Sequence, residues 1–428
     1  MLWIKLGTLA LLTVAAFFYL NDKLSTRTGQ QQNGNVPSDA RGQDRADQGQ
    51  PPAAAPKGAP SSEGGAGTSG QGSGSTQGSG EPQTGTATGQ QPPAVPQAQQ
   101  VKLAFVGDVM FAGKVDDLVV KHGYDYPFKY VKTLLEAADI TAANLETPIT
   151  TRGDAQTKEY VYRSSPNVLP ELTKAGIDLV NLANNHSMDY GKEGLLDTLR
   201  HLDEHGVLRV GAGVDADEAY GYTIVEKQGM KLAYIGTSHV LPAVSWLSGK
   251  GKPGISVPHT SKQVLESIAK ARQEADLVIV VAHWGEERKP YPVKEQTELA
   301  HAFIDAGADL IIGSHPHVLQ GFEQYKGKWI AYSLGNFIFT TNEVPETWES
   351  MILEASCTKE RSCQLHVTPI ITKWAQPIRM VEDKGQQLLE KLGRISVNAQ
   401  LSTDGKVSVG PVRKLEVDVE TNKKQNVK

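Results

Sequence analysis

Cysteine is scarce. The 428 residues hold two, Cys357 and Cys363, at the ends of Cys-Thr-Lys-Glu-Arg-Ser-Cys. The residues between them are all polar, which reads as a hairpin tip, and the spacing matches no zinc motif. In an oxidising compartment the two are expected to pair; free thiols are the alternative. Neither lies near the N-terminus, which excludes a lipoprotein attachment site there. No Gly-x-Ser-x-Gly turn occurs and no cysteine is placed as a nucleophile, which argues against a covalent hydrolase. Glycine fingerprints for nucleotide phosphates or dinucleotides are also missing. There is no long basic run, and the formal net charge is -5, so no nucleic-acid partner is expected. Large apolar side chains are nearly absent from residues 26–100, which are mostly Gly, Gln, Ser, Pro, Ala and Thr. Such a stretch buries too little apolar surface to offset the entropy of ordering it, and it is expected to be a disordered linker.

The N-terminus carries the one long apolar run. Lys5 precedes uncharged residues 6–20, and Asn21, Asp22 and Lys23 restore polar character. The run is short for a membrane span and long for the core of a signal peptide. Counted from Leu2, with Lys5 snorkelling to the interface, a span becomes feasible. No small-x-small cleavage site follows Leu20. Residues 1–25 are therefore expected to be an uncleaved membrane anchor rather than a cleaved signal. Lys5 favours an inside N-terminus, while Lys23 and Arg27 compete, so the charge rule sets orientation only weakly. A Gly/Gln/Ser linker suits a stalk crossing the envelope, which favours an extracytoplasmic C-terminal domain at residues 101–413. Residues 414–428 read as a charged tail.

From residue 101 onward, short apolar runs alternate with amphipathic stretches. Strands are expected at 102–106, 140–143, 177–182, 207–210, 277–282, 310–312 and 329–333. A hairpin is expected across 222–225 and 231–235, and two more strands at 351–355 and 365–371 flank the cysteine tip. Helices are expected at 130–138, 166–175, 192–205, 261–273 and 295–306. Val264, Leu265, Ile268 and Ala271 form one apolar stripe, Pro166 suits a first turn and Gly206 a helix end. The alternation predicts an α/β domain with a largely central sheet. In such folds ligands bind beyond the carboxyl ends of strands.

Six unusual polar clusters sit at those ends: Val106-Gly107-Asp108-Val109-Met110, Ala143-Asn144-Leu145-Glu146-Thr147-Pro148, Asn184-Asn185-His186-Ser187-Met188-Asp189, His283-Trp284-Gly285-Glu286, Gly313-Ser314-His315-Pro316-His317 and Ser333-Leu334-Gly335-Asn336-Phe337. One such turn would more often be a plain loop or a satisfied core residue. Six in register point to convergence on a common site. Asp, Glu, Asn and His together make a ligand set suited to zinc, manganese or iron(II). His315 and His317, two apart, would share one face of an extended segment.

At these motifs the chain resembles the CapA family of bacterial capsule-synthesis proteins, whose fold is akin to the calcineurin-like metallophosphoesterases, which implies an α/β domain with a central β-sheet sandwich flanked by helices. The resemblance runs from about residue 101 to 339, and its motifs occur in family order, including Asp189-Tyr190-Gly191, His317-Val318-Leu319 and Tyr332-Ser333-Leu334-Gly335-Asn336-Phe337-Ile338-Phe339. It implies a divalent metal site of one or two ions with ligands Asp108, Glu146, Asn185, His283, His315 and His317. Glu146 would bridge, and His186 would be a candidate acid oriented by Asp189. The second-ion set of Glu146, Asn185, His283 and His315 is nearly complete. The first set of Asp108, Glu146 and His317 lacks a member, because Met110 stands where the wider superfamily has His, and a thioether is a poor ligand for hard cations.

Around that set, Trp284 would either stack on substrate or pack beneath the ligand loop. Asn144 is expected to contact substrate or support the ligands, and Glu286 to support a ligand histidine. Asn336 would fix its loop, and Arg163 would clamp an anion or stand exposed. The resemblance further implies a single-pass membrane protein with its domain outside the cell, acting with membrane-embedded polyglutamate synthase components on the nascent poly-γ-glutamate chain. Two readings compete with it: a metal-dependent envelope hydrolase of phosphoesters or amides unrelated to polyglutamate, and a non-catalytic module binding an acidic ligand.

Overall fold

A computed structural model of the chain describes residues 99–258 and 262–413. The expected anchor over 1–25, the linker over 26–100 apart from its last two residues, and the tail over 414–428 lie outside them. Among the described residues no helix is long and apolar enough to cross a membrane.

Two large sheets organise the chain. Their strands, in order, are β1 (Gln100–Val109), β2 (Ile140–Leu145), β3 (Leu179–Asn181), β4 (Leu208–Val210), β5 (Thr223–Lys227), β6 (Met230–Ser238), β7 (Leu277–His283), β8 (Leu310–Ser314), β9 (Leu319–Tyr325), β10 (Lys328–Leu334), β11 (Asn336–Ile338), β12 (Glu349–Thr358), β13 (Cys363–Lys373) and β14 (Gln376–Arg379). The first sheet runs β14-β13-β12-β1-β2-β3-β4, with β11 also paired to β1; the second runs β9-β10-β8-β7-β6-β5. Strands β1 to β4 are mutually parallel, as are β6, β7, β8 and β10. Parallel strands place their carboxyl ends side by side, where loops can carry chemistry.

Side-chain alternation builds the layers. Leu103 and Phe105 of β1 enter one core with Leu232 and Tyr234 of β6 and Leu277 and Ile279 of β7, between the two sheets. Ala104 and Val106, one residue out of phase, face a second core. That core is filled by α1 (Lys114–His122), α2 (Lys132–Leu135), α3 (Leu169–Lys174) and α4 (Gly191–Glu204). Beyond the short α5 (Ala216–Ala219), α6 (Gln263–Glu274) and α7 (Lys294–Ala306) cover the far face of the second sheet against Val278, Val280 and Ile311. The result is helix, sheet, sheet, helix. Strand β7 is covered on both faces and buried along its whole length, which is why 277–282 reads as one unbroken run.

Three expectations change. The helix expected over 130–138 is one turn, Lys132–Leu135. Helix α1 and α8 (Glu382–Ile395) were not expected; the latter sends Leu388, Leu389, Leu392 and Ile395 into the inter-sheet core. His315 and His317 are not on an extended segment, because β8 stops at Ser314 and both carry positive φ, 98° and 56°. Such backbone costs on the order of 1–3 kcal/mol per residue and persists where surrounding structure holds it.

Cys357 and Cys363 are opposite each other in the β12–β13 register and are joined as a disulfide. The hairpin tip it closes reaches the other sheet. Arg361 lies 3.4 Å from the buried Asp309 carboxylate and donates to the Ala275 carbonyl, while Arg272 and Lys328 pair with the same carboxylate at 3.0 and 2.7 Å. Material exported without reductant should show neither cysteine alkylated by mass measurement; two modified thiols would contradict the pairing. Reduction should cost at most about 2 kcal/mol, because the loop closed is short.

Candidate metal centre

The parallel strands deliver the polar clusters to one place. Asp108 ends β1, Asn144 lies in β2 with Glu146 just beyond it, and His283 ends β7. His315 and His317 follow β8, and Asn336 opens β11 after β10. Two groups could each hold an ion, Asp108 with Glu146 and His283, and Glu146 with His315 and His317; within each, the ligand atoms lie within 4.8 Å of one another. Glu146 belongs to both groups. Its Oε1 is 3.9 Å from His283 Nε2 and 3.7 Å from His317 Nε2.

Three buried atoms of this cluster have no hydrogen-bond partner: Asp108 Oδ2, Glu146 Oε1 and His315 Nδ1. Asp108 Oδ2 makes no hydrogen bond although His317 Nδ1 is 3.3 Å away. Buried polar atoms are rarely left unpaired, since each costs about 1–3 kcal/mol. Three in one cluster, all carboxylate or imidazole, fit sites for a divalent cation. Asn185 stands at the edge, its Oδ1 2.8 Å from His283 Nε2.

Electrostatics describe the same cluster. Burial and the neighbouring Asp108 carboxylate hold the Glu146 carboxyl well above its ordinary range. Burial, reinforced by His315 and His317, holds His283 well below the usual imidazole value. Burial and His317 push His315 down to about 3. Burial would lower His317 too, but the Glu146 and Asp108 carboxylates outweigh it and raise His317 to about 10. The His317 ring thus faces both acidic side chains, with Nδ1 3.3 Å from Asp108 Oδ2 and Nε2 3.7 Å from Glu146 Oε1.

His186 and Asp189 lie beside the cluster. His186 Nδ1 is 2.7 Å from Asp189 Oδ2, so any proton the ring exchanges with a ligand passes through Nε2. Burial lowers His186, opposed by its bond to Asp189. The fully buried Asp189 also receives Lys158 Nζ at 2.7 Å and Tyr162 N at 2.8 Å. Lys158 holds the Asn185 carbonyl as well, at 2.6 Å, and the Tyr162 ring lies 5.1 Å from that of His186.

The supporting residues divide. Asn144 Nδ2 donates to Asp108 Oδ1 at 2.8 Å and lies 3.2 Å from His283 Nδ1. Asn336 Oδ1 accepts from His317 Nδ1 at 2.9 Å, and its Nδ2 donates to the Thr347 carbonyl. Trp284 is buried between the second sheet and its helices, against Phe303 and Tyr332, and donates to the Tyr332 carbonyl at 2.9 Å. It packs beneath the ligand loop and has no face for substrate. Glu286 stands exposed rather than behind a histidine, and exposed Arg163 lies 4.5 Å over the Tyr190 ring. Sequence reasoning passed over Asn181, Lys158, Tyr162 and His239. The first three lie in an apolar run or an irregular segment with no local signal. His239 follows β6 as the other clusters follow their strands, donates its N–H to the His283 carbonyl, and helps depress His315.

Comparison with known proteins bears on this arrangement. The Bacterial capsule synthesis protein PGA_cap family matches residues 102–341, a span that contains all six strand-end motifs. The PGA biosynthesis protein CapA of Bacillus subtilis (strain 168) is 33% identical over 310 residues, covering 71% of this chain and 81% of that protein. The capsule biosynthesis protein CapA of Bacillus anthracis is 32% identical over 291 residues, covering 65% and 69%. Among solved structures, the 5'-nucleotidase from Candida albicans SC5314 aligns at TM-score 0.35 and 10% identity, over 62% of this chain and 50% of that one. With a family match over more than half its length, and with relatives aligned well beyond that span, the chain belongs to the bacterial capsule synthesis protein PGA_cap family.

Proposed function

We propose that this chain serves poly-γ-glutamate capsule synthesis through a divalent-metal site formed by Asp108, Glu146, Asn185, His283, His315 and His317. The observation that carries the site is that Asp108 Oδ2, Glu146 Oε1 and His315 Nδ1, in two candidate groups that share Glu146, are all buried and unpaired. The names of the Bacillus relatives, and of a probable polyglutamine synthesis accessory protein from Mycobacterium tuberculosis at 31% identity, support the pathway. Zinc, manganese and iron(II) all suit carboxylate, imidazole and amide donors. Such an ion, when bound, supplies Lewis-acid polarisation of a phosphoryl or acyl group. The chain's own contribution is to position that group: Asp189 and Lys158 fix the His186 ring so that its Nε2 can hold or give a proton. Residues 1–25 anchor the domain to the outer face of the cell membrane beside synthase components, where a tethered domain meets the emerging polymer at high effective concentration.

Deleting the gene should abolish surface poly-γ-glutamate, and the wild-type chain should restore it while Glu146→Gln should not. Full restoration by Glu146→Gln would remove the cluster from the function. Met110, in a position that would otherwise supply a ligand, favours a second reading in which the site holds an acidic ligand without turnover. Metal-loaded chain that binds glutamate oligomers but leaves phosphoester and amide bonds intact would select that reading.

A further inference from the structure

The loop after β7 is fixed at its backbone, while its charged tip over residues 286–289 stands exposed. Two fully buried glutamines brace it, Gln296 of α7 and Gln320 of β9. Gln296 Oε1 accepts from Val293 N at 2.9 Å, and its Nε2 donates to Gln320 Oε1 at 2.8 Å. Gln320 Nε2 in turn donates to the carbonyls of Lys289 and Tyr291, at 2.9 and 3.1 Å. Gly285, at φ 90°, leaves room for the brace: a Cβ there would lie 2.6 Å from Gln296 Oε1. Arg288 takes left-handed backbone, φ 61°, and its N–H donates to the Pro316 carbonyl at 2.8 Å. Pro316 stands between His315 and His317, so the tip is tied to the segment that carries two candidate ligands. The Arg288 side chain itself forms no ion pair and no hydrogen bond among the described residues.

Residues 158–163 border the cluster from another side. Tyr162 N is bonded to Asp189, the Tyr162 ring lies 5.1 Å from that of His186, and the exposed Tyr160 ring stacks with Tyr162 at 6.4 Å. The loop's charges are felt here. Glu159 leads in raising the Tyr160 phenol; Arg288 opposes that rise and Glu287 adds to it. Burial leads in raising Glu146, and Glu287 adds to that rise as well. Loop tip and segment thus meet at the mouth of the cluster, with Arg288 in electrostatic reach of Tyr160. Glu159, Glu286 and Glu287 are exposed around it and repel anions. An acidic ligand entering there needs one well-placed cation rather than a diffuse positive field. A guanidinium offers a planar fork that meets a carboxylate with two parallel hydrogen bonds.

We propose that Arg288 is a specificity-determining residue: its guanidinium grips a carboxylate of a glutamyl chain beside the group that the metal site holds. This rests on the reading above that the site serves poly-γ-glutamate, and adds the residue that selects an acidic chain.

Full chain loaded with manganese is titrated with a γ-linked glutamate tetramer by calorimetry. Arg288→Gln should weaken binding by about tenfold or more, because hydrogen bonds to a charged group exceed what an exposed ion pair gives. Arg288→Lys keeps the charge but loses the fork, and should recover little of the affinity. Lys289→Gln makes the same charge change one residue on, and should stay within about threefold of wild type. Manganese bound per chain should be unchanged in all three. A smaller loss in Arg288→Gln, wild-type affinity in Arg288→Lys, an equal loss in Lys289→Gln, or manganese lost from Arg288→Gln would overturn the role. Wild-type chain that takes up manganese but binds no tetramer would sink the polyglutamate reading itself, and the role of Arg288 with it. Wild-type chain that takes up no manganese would sink the metal reading, while the same titration without metal still decides whether Arg288 grips the tetramer.

Discussion

Glu146→Gln should cost the full chain most of its bound metal, weakening affinity by more than about 100-fold, because it removes a ligand atom rather than a supporting partner. Glu146 is the member shared by both candidate groups found among the described residues, so neither survives its loss intact. Elemental analysis after dialysis against a weak chelator measures the effect. His283→Ala and His315→Ala should each lower metal content more than Met110→Ala, since the proposed site takes imidazoles as ligands and a thioether is a poor one for these ions. Met110→His should raise stoichiometry toward two. Metal-free Glu146→Gln should still unfold cooperatively in urea, so that its weaker metal binding is read on folded protein. Wild-type metal content in Glu146→Gln would place the ion elsewhere.

Trp284→Ala should destabilise the fold by about 3–5 kcal/mol, the range for a large aromatic removed from a packed core. The indole is 1% exposed, stacks parallel to Phe303 at 6.3 Å and donates to the Tyr332 carbonyl, so the substitution opens a cavity and leaves that carbonyl without its donor. The urea midpoint should fall with little change in slope. Metal bound per folded molecule should match wild type, although residue 284 adjoins His283. A loss below about 1 kcal/mol, with polymer binding gone, would instead make Trp284 a ligand-stacking residue.

Much of the site was legible because it is local. Asp108, Glu146, His283 and His315 each follow an apolar run closely, so strand and candidate ligand can be read from one window of sequence. What was not legible is relational. Leu103 and Ala104 look equally apolar, and nothing in the run says that one faces a second sheet and the other a helix layer. Asn181 lies inside the strand expected at 177–182, where an asparagine reads as a tolerated polar residue; its part in the site comes from the hydrogen bond it gives Asn144 Oδ1 on the neighbouring strand. Lys158 sits in a segment without regular structure and gains meaning only through Asp189. The positive φ of His315 and His317 has no sequence signature either, since glycine would be the usual tenant of such backbone. Helix α8 differs: Leu388, Leu389, Leu392 and Ile395 carry helical spacing openly.

The disulfide-closed hairpin has a mechanical consequence. The chain enters the first sheet at Gln100, which pairs with Thr358 next to Cys357, and Asp108 lies eight residues along the same strand, about 26 Å away at ~3.3 Å per residue. Tension applied through Gln100 along β1 meets an antiparallel ladder with β12, running from Gln100–Thr358 to Phe105–Leu353, and a parallel one with β2 on the other side. Those hydrogen bonds are loaded side by side, in shear, and must fail together rather than peel in turn. The partner strand is itself held, by Cys357–Cys363 to β13 and by Arg361 to Asp309 beneath the second sheet. A pull applied at Gln100 is therefore absorbed at the end of the domain remote from the candidate metal centre, and extension under force should show a single high-force rupture in oxidised protein and a weaker one after reduction.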